Sequence, residues 1–200
     1  LCYDFVEASR DCRDVAEGLN VIGERFEDWR RLLQGKSSDS LTRQKQRGLF
    51  AELIFLEACL LTMPPAQAVN AWRGPNKGAQ DFLFGPSWAE VKAISKGAAS
   101  VEISSLAQLA PDHPGTLEVY TLEKAEDVEE PKDAVSLAGL VQRVRGRVGE
   151  VGEARQSLDE KLRLAGYQDE DEAAYATPLV VVDHRAYSVG GDFPRLTPKS

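Results

Sequence analysis

Three residues, Asp81, Glu90 and Lys92, have the types and the spacing that could do chemistry. They lie in the stretch Gln80-Asp81-Phe82-Leu83-Phe84-Gly85-Pro86-Ser87-Trp88-Ala89-Glu90-Val91-Lys92-Ala93-Ile94, which reads as two short strands joined at Gly85-Pro86-Ser87. Side chains alternate along a strand, so Glu90 and Lys92 share one face while Val91 points the other way. Two carboxylates and an amine can therefore meet at one place. The chemistry that uses such a set is metal-assisted hydrolysis of a phosphodiester. Asp81 and Glu90 offer hard oxygen ligands to Mg²⁺, an ion that keeps several waters and takes substrate phosphate as a further ligand. The ion acidifies a bound water and neutralises charge on the phosphate, while Lys92 orients the nucleophile or stabilises the transition state. The bland alternative is a surface hairpin on which Glu90 and Lys92 form an ion pair of small energetic value.

The triplet of an acid, any residue and lysine occurs three times, so context has to separate the copies. Glu130-Pro131-Lys132 carries proline within an acidic loop, where a strand is implausible. Asp159-Glu160-Lys161 falls in a helical pattern, which turns residues two apart away from each other. Only Glu90-Val91-Lys92 lies in an apolar strand, across a tight turn from a strand headed by an aspartate.

The elements that must position this hairpin begin with a helix over 41–62, capped by Ser40 and ended by Met63-Pro64-Pro65. After two polar turns it is apolar nearly all round, the pattern of a helix buried against a sheet. Glu52 is a carboxylate inside that apolar part, and it either faces a cleft holding a cation or basic partner or snorkels to the surface beside arginines. A short helical turn over 66–72 and a loop over 73–78 lead into the hairpin. Beyond it we expect a third strand over 100–104, a helical segment over 105–109 and a strand over 116–122. A helix capped by Ser136 follows, then one over 153–164. The β-branched run Leu179-Val180-Val181-Val182-Asp183 predicts a strand covered on both faces, with a tail of loop or edge through Tyr187, Phe193 and Pro194. In front of all this, 4–18 and 21–34 read as a helical hairpin. The expected organisation is thus an N-terminal helical unit over 1–38, the end of a longer N-terminal region, and a main domain over 39–200.

The bulk properties exclude several classes. At 200 residues, 42% hydrophobic, the chain is long enough to bury a core. Its longest apolar run is too short to span a bilayer, and no secretory signal pattern is present. Cys2, Cys12 and Cys59 form no CxxC pair, which fits a reducing compartment, with cytoplasm as the expected location. A net charge of −8 argues against coating nucleic acid through global charge. Local basic surface remains available: Arg43, Lys45 and Arg47 before the buried helix portion, Arg73, Lys77 and Lys96 around the hairpin, and the Arg143, Arg145, Arg147 cluster. His113 sits in a turn, and His184 ends a strand. The chain opens at Leu1 rather than Met, which points to processing or to a fragment of something longer.

Asp81, Glu90-Val91-Lys92 and the helix Gly48-Leu49-Phe50-Ala51-Glu52-Leu53 resemble the PD-(D/E)XK nuclease superfamily. More narrowly, Trp29-Arg30-Arg31-Leu32-Leu33, that helix, Trp72-Arg73-Gly74-Pro75, Ser104-Ser105-Leu106-Ala107-Gln108-Leu109 and the closing Tyr187 to Phe193-Pro194-Arg195 are similar to an uncharacterised prokaryotic family of PD-(D/E)XK motif proteins. The resemblance covers roughly 29–196. It implies an α/β fold with a restriction-endonuclease-like αβββαβ core, here with an N-terminal helical hairpin and a C-terminal helical and strand extension. It implies Asp81 and Glu90 as metal ligands, Lys92 as the catalytic lysine, Glu52 as the helix carboxylate and further ligand, and Gln108 as an auxiliary catalytic residue. Asp81 follows Gln80 where the superfamily's name has proline. The activity implied is a DNA endonuclease using Mg²⁺, with Mn²⁺ as a substitute, in restriction, repair or phage defence. Partners would be DNA, other proteins of a defence or restriction system, and a second copy of the chain in a homodimer. The competing reading is a catalytically silent nuclease-like fold that binds nucleic acid or scaffolds a defence complex.

Overall fold

The computed structural model describes residues 18, 21, 22, 41–76, 78–103, 105–109, 113–190, 193 and 194. The chain divides into two units, Leu1–Asp39 and Ser40–Ser200, and the account that follows concerns the second. Of the helical hairpin expected over 1–38, only Gly18, Val21 and Ile22 are described, all three helical; the rest of it, Ser40 and Lys77 lie outside the described residues.

Helix α1, Arg43–Leu60, starts at Thr42, whose hydroxyl accepts the Lys45 backbone N–H at 3.3 Å. The cap is therefore Thr42 within the described residues, two positions beyond the expected Ser40. Leu49, Phe50, Ala51, Leu53, Leu56 and Cys59 are buried, whereas Glu52 and Glu57 are only half-buried. Helix α2, Pro65–Ala71, begins on a proline at a position where the missing N–H has no intrahelical partner to lose. Strands β1, Phe82–Phe84, and β2, Ser87–Ile94, form the expected hairpin. Phe84 pairs with Ser87, leaving the two-residue loop Gly85-Pro86, and Gly85 takes φ 64°, the left-handed value that primed hairpin turns require at that place. Strand β3, Gly115–Lys124, runs parallel to β2, and β4, Leu179–Val189, runs antiparallel to β3. The order is β1-β2-β3-β4, so the fold is α/β with a mixed sheet.

Helix α3, Leu137–Val148, is capped by Ser136, as its sequence predicts, and α4, Glu153–Leu164, follows it. The helices cover one sheet face, packing against Phe82, Ala89, Val91, Tyr120 and Leu122. The other face carries Trp88, Leu117, Val119 and Val189, under Leu109, Val101 and Ile103. Glu90 and Lys92 alternate with Ala89 and Val91, which places them on this second face.

Two expectations change. The described residues of 100–104 form no strand; the alternation of Val101 and Ile103 serves to cover the second sheet face from a loop. That loop is the crossover which a parallel pair such as β2 and β3 needs, with a 3₁₀ turn at Leu106–Leu109. The β-branched run of β4 is not covered on both faces. Among the described residues it belongs to a strand paired with β3 alone, apart from a single bridge from Leu179 to Val135, and of its residues Leu179, Val180 and Val189 are buried while 182–188 are exposed. That strand also extends to Val189, so Tyr187 is an edge-strand residue.

Candidate active site

The site arises where β1 is too short to shield its neighbour. β1 pairs with β2 only as far as Phe82 opposite Ala89, so among the described residues the β2 edge from Glu90 onward has no further strand partner on that side. Asp81 takes over there: its Oδ2 accepts the Val91 backbone N–H at 2.9 Å, in the place of a strand carbonyl. Phe55 packs edge-on against Phe82, 4.8 Å between ring centroids, and so seats α1 beside the head of β1.

Glu52 of α1 reaches this edge. Its Oε2 accepts the indole N–H of the buried Trp72 at 2.7 Å. A Cβ placed on Gly74 would fall 2.6 Å from Glu52 Oε2 and 3.0 Å from Asp81 Oδ1. The two carboxylates thus flank one spot that only glycine leaves open. On β2, Glu90 is 1% exposed, with Oε1 2.8 Å from Lys92 Nζ. Its Oε2 has no hydrogen-bond partner among the described residues. Lys92 Nζ also lies 3.5 Å from Gln108 Oε1, so the amine bridges the strand and the 3₁₀ turn. The surrounding cleft, about 380 Å³, is lined by Gln44, Arg47, Gly48 and Glu52 of α1, by Asp81, and by the β2 edge with residues 100–102.

Crowding of acids in a poorly hydrated place disfavours their charged forms. Burial pushes the Glu52 carboxyl up to about 8, with the Asp81 charge adding to the rise and the Trp72 N–H opposing it. Burial likewise lifts Glu90 to about 7, Asp81 adding and Lys92 opposing. Asp81 is raised by burial against the pull of the Val91 N–H and Lys92. Three carboxylates answered by one lysine make a set with an excess of negative charge.

Among the described residues, no group of three or more His, Cys, Asp or Glu side chains is gathered closely enough to hold an ion by itself. A hard ion of the Mg²⁺ kind needs only one or two carboxylates, because it keeps waters and takes phosphate oxygens. Asp81 and Glu90 fit that requirement chemically: Glu90 has an orphaned buried oxygen, and the missing Gly74 side chain leaves room beside Asp81 and Glu52.

The structure thus brings together Glu52, Asp81, Glu90, Lys92 and Gln108. The basic candidates fare differently. Arg47 lines the cleft, yet its guanidinium donates to Ile94 O at 2.9 Å, Leu122 O at 2.6 Å and Ser95 Oγ at 3.1 Å, so it braces α1 against the strand ends. Arg43, Lys45, Arg73 and Lys96 are exposed. Arg143 and Arg147 bond Glu57 of α1 at 2.7 and 2.8 Å, and Arg145 bonds Asp159 and Asp169, so this cluster is spent on internal ion pairs rather than offered to phosphate. His184 bonds Glu118 at 2.7 Å and stacks on Tyr120, on the sheet face opposite Glu90.

Three residues around the site had no role in the sequence reading. Trp72 and Gly74 stood there only as part of a loop motif. Gln80 is buried, and its amide donates to Ala107 O at 2.7 Å and Gln108 O at 3.3 Å, holding the 3₁₀ turn against the hairpin. The available signal was a tryptophan two residues before a glycine at the end of a short helix.

A family model described as "Putative PD-(D/E)XK family member, (DUF4420)" matches residues 1–200. The chain belongs to that family, in agreement with the resemblance carried by Asp81, Glu90-Val91-Lys92 and the Glu52 helix. No curated protein and no solved structure matches it. No helix among the described residues is long and apolar enough to cross a membrane.

Proposed function

We propose that this chain is a divalent-metal-dependent endonuclease that hydrolyses phosphodiester bonds in DNA, with Mg²⁺ as the working ion and Mn²⁺ as its substitute, in prokaryotic restriction, repair or phage defence. The observation that carries the reading is the convergence of Glu52, Asp81, Glu90 and Lys92 on one open strand edge, with more carboxylates than cations. Asp81 and Glu90 are the ligands and Glu52 the further carboxylate from the helix. The ion, when bound, acidifies a water and offsets charge on the phosphate. Lys92 holds its ammonium between Glu90 and Gln108, where it meets the charge that builds on the phosphoryl oxygens. An acidic protein with such a site meets phosphate locally, and the exposed Arg43, Lys45, Arg73 and Lys96, together with Lys77 by its place in the sequence, are the candidates for those contacts.

The test is incubation of supercoiled plasmid with Mg²⁺ for the wild type beside Lys92→Ala and Asp81→Ala. Nicked and linear products from the wild type alone support the reading. Equal cutting by all three, or none by any, overturns it.

A further inference from the structure

The carboxylate of Glu52 hangs from the middle of a helix on a flexible stem, so something must fix where it points. Trp72 is fully buried and donates its indole N–H to Glu52 Oε2. The segment that follows grips the other carboxylate-bearing residue through its backbone: Arg73 N–H and Gly74 N–H both donate to Asp81 O, at 2.6 and 3.1 Å, and Trp72 bridges to Phe82. Trp72-Arg73-Gly74 is thus the part of the chain that sets the helix acid against the strand acid.

That segment is itself held from behind. Lys161 of α4 is 7% exposed, and its ammonium donates to Val69 O at 2.6 Å and, in a shorter contact, to Trp72 O. These carbonyls close the C-terminal end of α2, where helix carbonyls lack intrahelical partners and carry partial negative charge. An ammonium buried in an apolar helix face is unfavourable unless such acceptors meet it. Asp159-Glu160-Lys161 copies the catalytic triplet in sequence, but its lysine serves a different end.

We propose that Trp72 and Lys161 are positioning residues for the site: Lys161 pins the end of α2, and the Trp72 indole thereby holds the Glu52 carboxylate at the cleft beside Asp81. This rests on the reading of Glu52 as part of the metal site, and the test separates the two. In the metal-free full chain, the indole N–H resonance of Trp72, identified by its loss in Trp72→Phe, is followed by NMR. It is expected to move clearly in Glu52→Ala and in Lys161→Met. An unmoved resonance in Glu52→Ala overturns the proposal; where Trp72→Phe fails to fold, the resonance is assigned in the wild type by triple-resonance NMR instead, so the result still stands. Mn²⁺ binding by calorimetry then asks whether the contact matters. Trp72→Phe is expected to weaken Mn²⁺ about 10-fold, as loss of a partner that orients a ligand does, and Trp72→Phe combined with Glu52→Gln is expected to bind no more weakly than Glu52→Gln alone. Unchanged affinity in Trp72→Phe, or additive losses in the double variant, shows packing without positioning and overturns the proposal. A wild type and an Asp81→Ala variant that both leave Mn²⁺ unbound would sink the metal reading instead, and the indole resonance would then decide the positioning by itself.

Discussion

Two clusters of charge in this molecule look alike in composition and behave in opposite ways. Around Arg145, the guanidinium bonds Asp169 through both of its terminal nitrogens, at 2.7 and 2.9 Å, and Asp159 at 2.8 Å, while Arg155 meets Asp159 at 2.7 Å. Two cations face two carboxylates. The Arg145 hydrogen bonds pull the Asp169 carboxyl below its usual range, which is the sign of a satisfied pair. At the strand edge, Glu52, Asp81 and Glu90 face Lys92, and all three carboxyls are pushed up. The first cluster ties α3 to α4 and the turn after it. The second keeps an unmet demand for positive charge, and such a demand is what a cation or a proton can answer.

The comparison can be broken in order of expected effect. Asp81→Ala and Lys92→Ala should each cut plasmid cleavage by about 1,000-fold or more, measured as initial rates of nicking. Asp81→Ala relieves the crowding of acids, so its melting temperature should hold or rise, and a loss of folding there would reduce the site to a structural pair, whereas Lys92→Ala strands the buried Glu90 and should lower it. Next, Arg145→Ala leaves Asp169 without its cation, while Asp159 keeps Arg155, and should lower stability by about 2 kcal/mol in urea unfolding, with Mn²⁺ affinity unchanged.

The third prediction follows from the direction of the shifts. A carboxyl whose folded pKa lies above its unfolded value binds more protons when folded, so its contribution is complete below the unfolded pKa and is lost as pH rises through the folded one. For Glu52 and Glu90 the window runs from the ordinary carboxyl value of 4.5 up to about 8 and about 7. The metal-free protein should therefore lose stability across that range. Glu52→Gln should flatten the decline and stabilise the chain by about 2 kcal/mol at pH 8, read from melting curves in chelator. A variant that melts with the same pH dependence as the wild type would show that the acids are not coupled. For Asp169 the sign is reversed, its contribution being present above its ordinary carboxylate range and lost as pH falls through the lowered value. The smallest effect is expected from Gly74→Ala: a Cβ 2.6 Å from Glu52 Oε2 must push that carboxylate aside, weakening Mn²⁺ by about 10-fold with a modest change in melting temperature.

Much of this was legible in one dimension. A period of two around a Gly-Pro turn announced the hairpin, and the exclusion of the other two triplets by proline and by helical pattern left Glu90-Val91-Lys92 as the one in a strand. Local chemistry decides such features, because turn residues and alternation act over a few positions. The misread elements were those whose pattern had more than one cause. Val101 and Ile103 alternate because they roof a sheet face, and the valines of β4 line an edge. Arg47 and the Arg143 to Arg147 cluster read in sequence as available basic surface, but their partners come from 14 to 90 positions away.

The sequence by itself determined the chemical inventory of the strand edge: two carboxylates and an amine at spacings that a β-hairpin turns to one face. Tertiary structure alone decided that Glu52 joins them, because Trp72 catches its carboxylate and Gly74 leaves it room. It also decided that Lys161, which ends a triplet of the same acid-any-lysine pattern as Lys92, works from the interior. The reason is physical: a side chain's charge belongs to its residue, but whether that charge is met, orphaned or aimed depends on which distant segment folds against it.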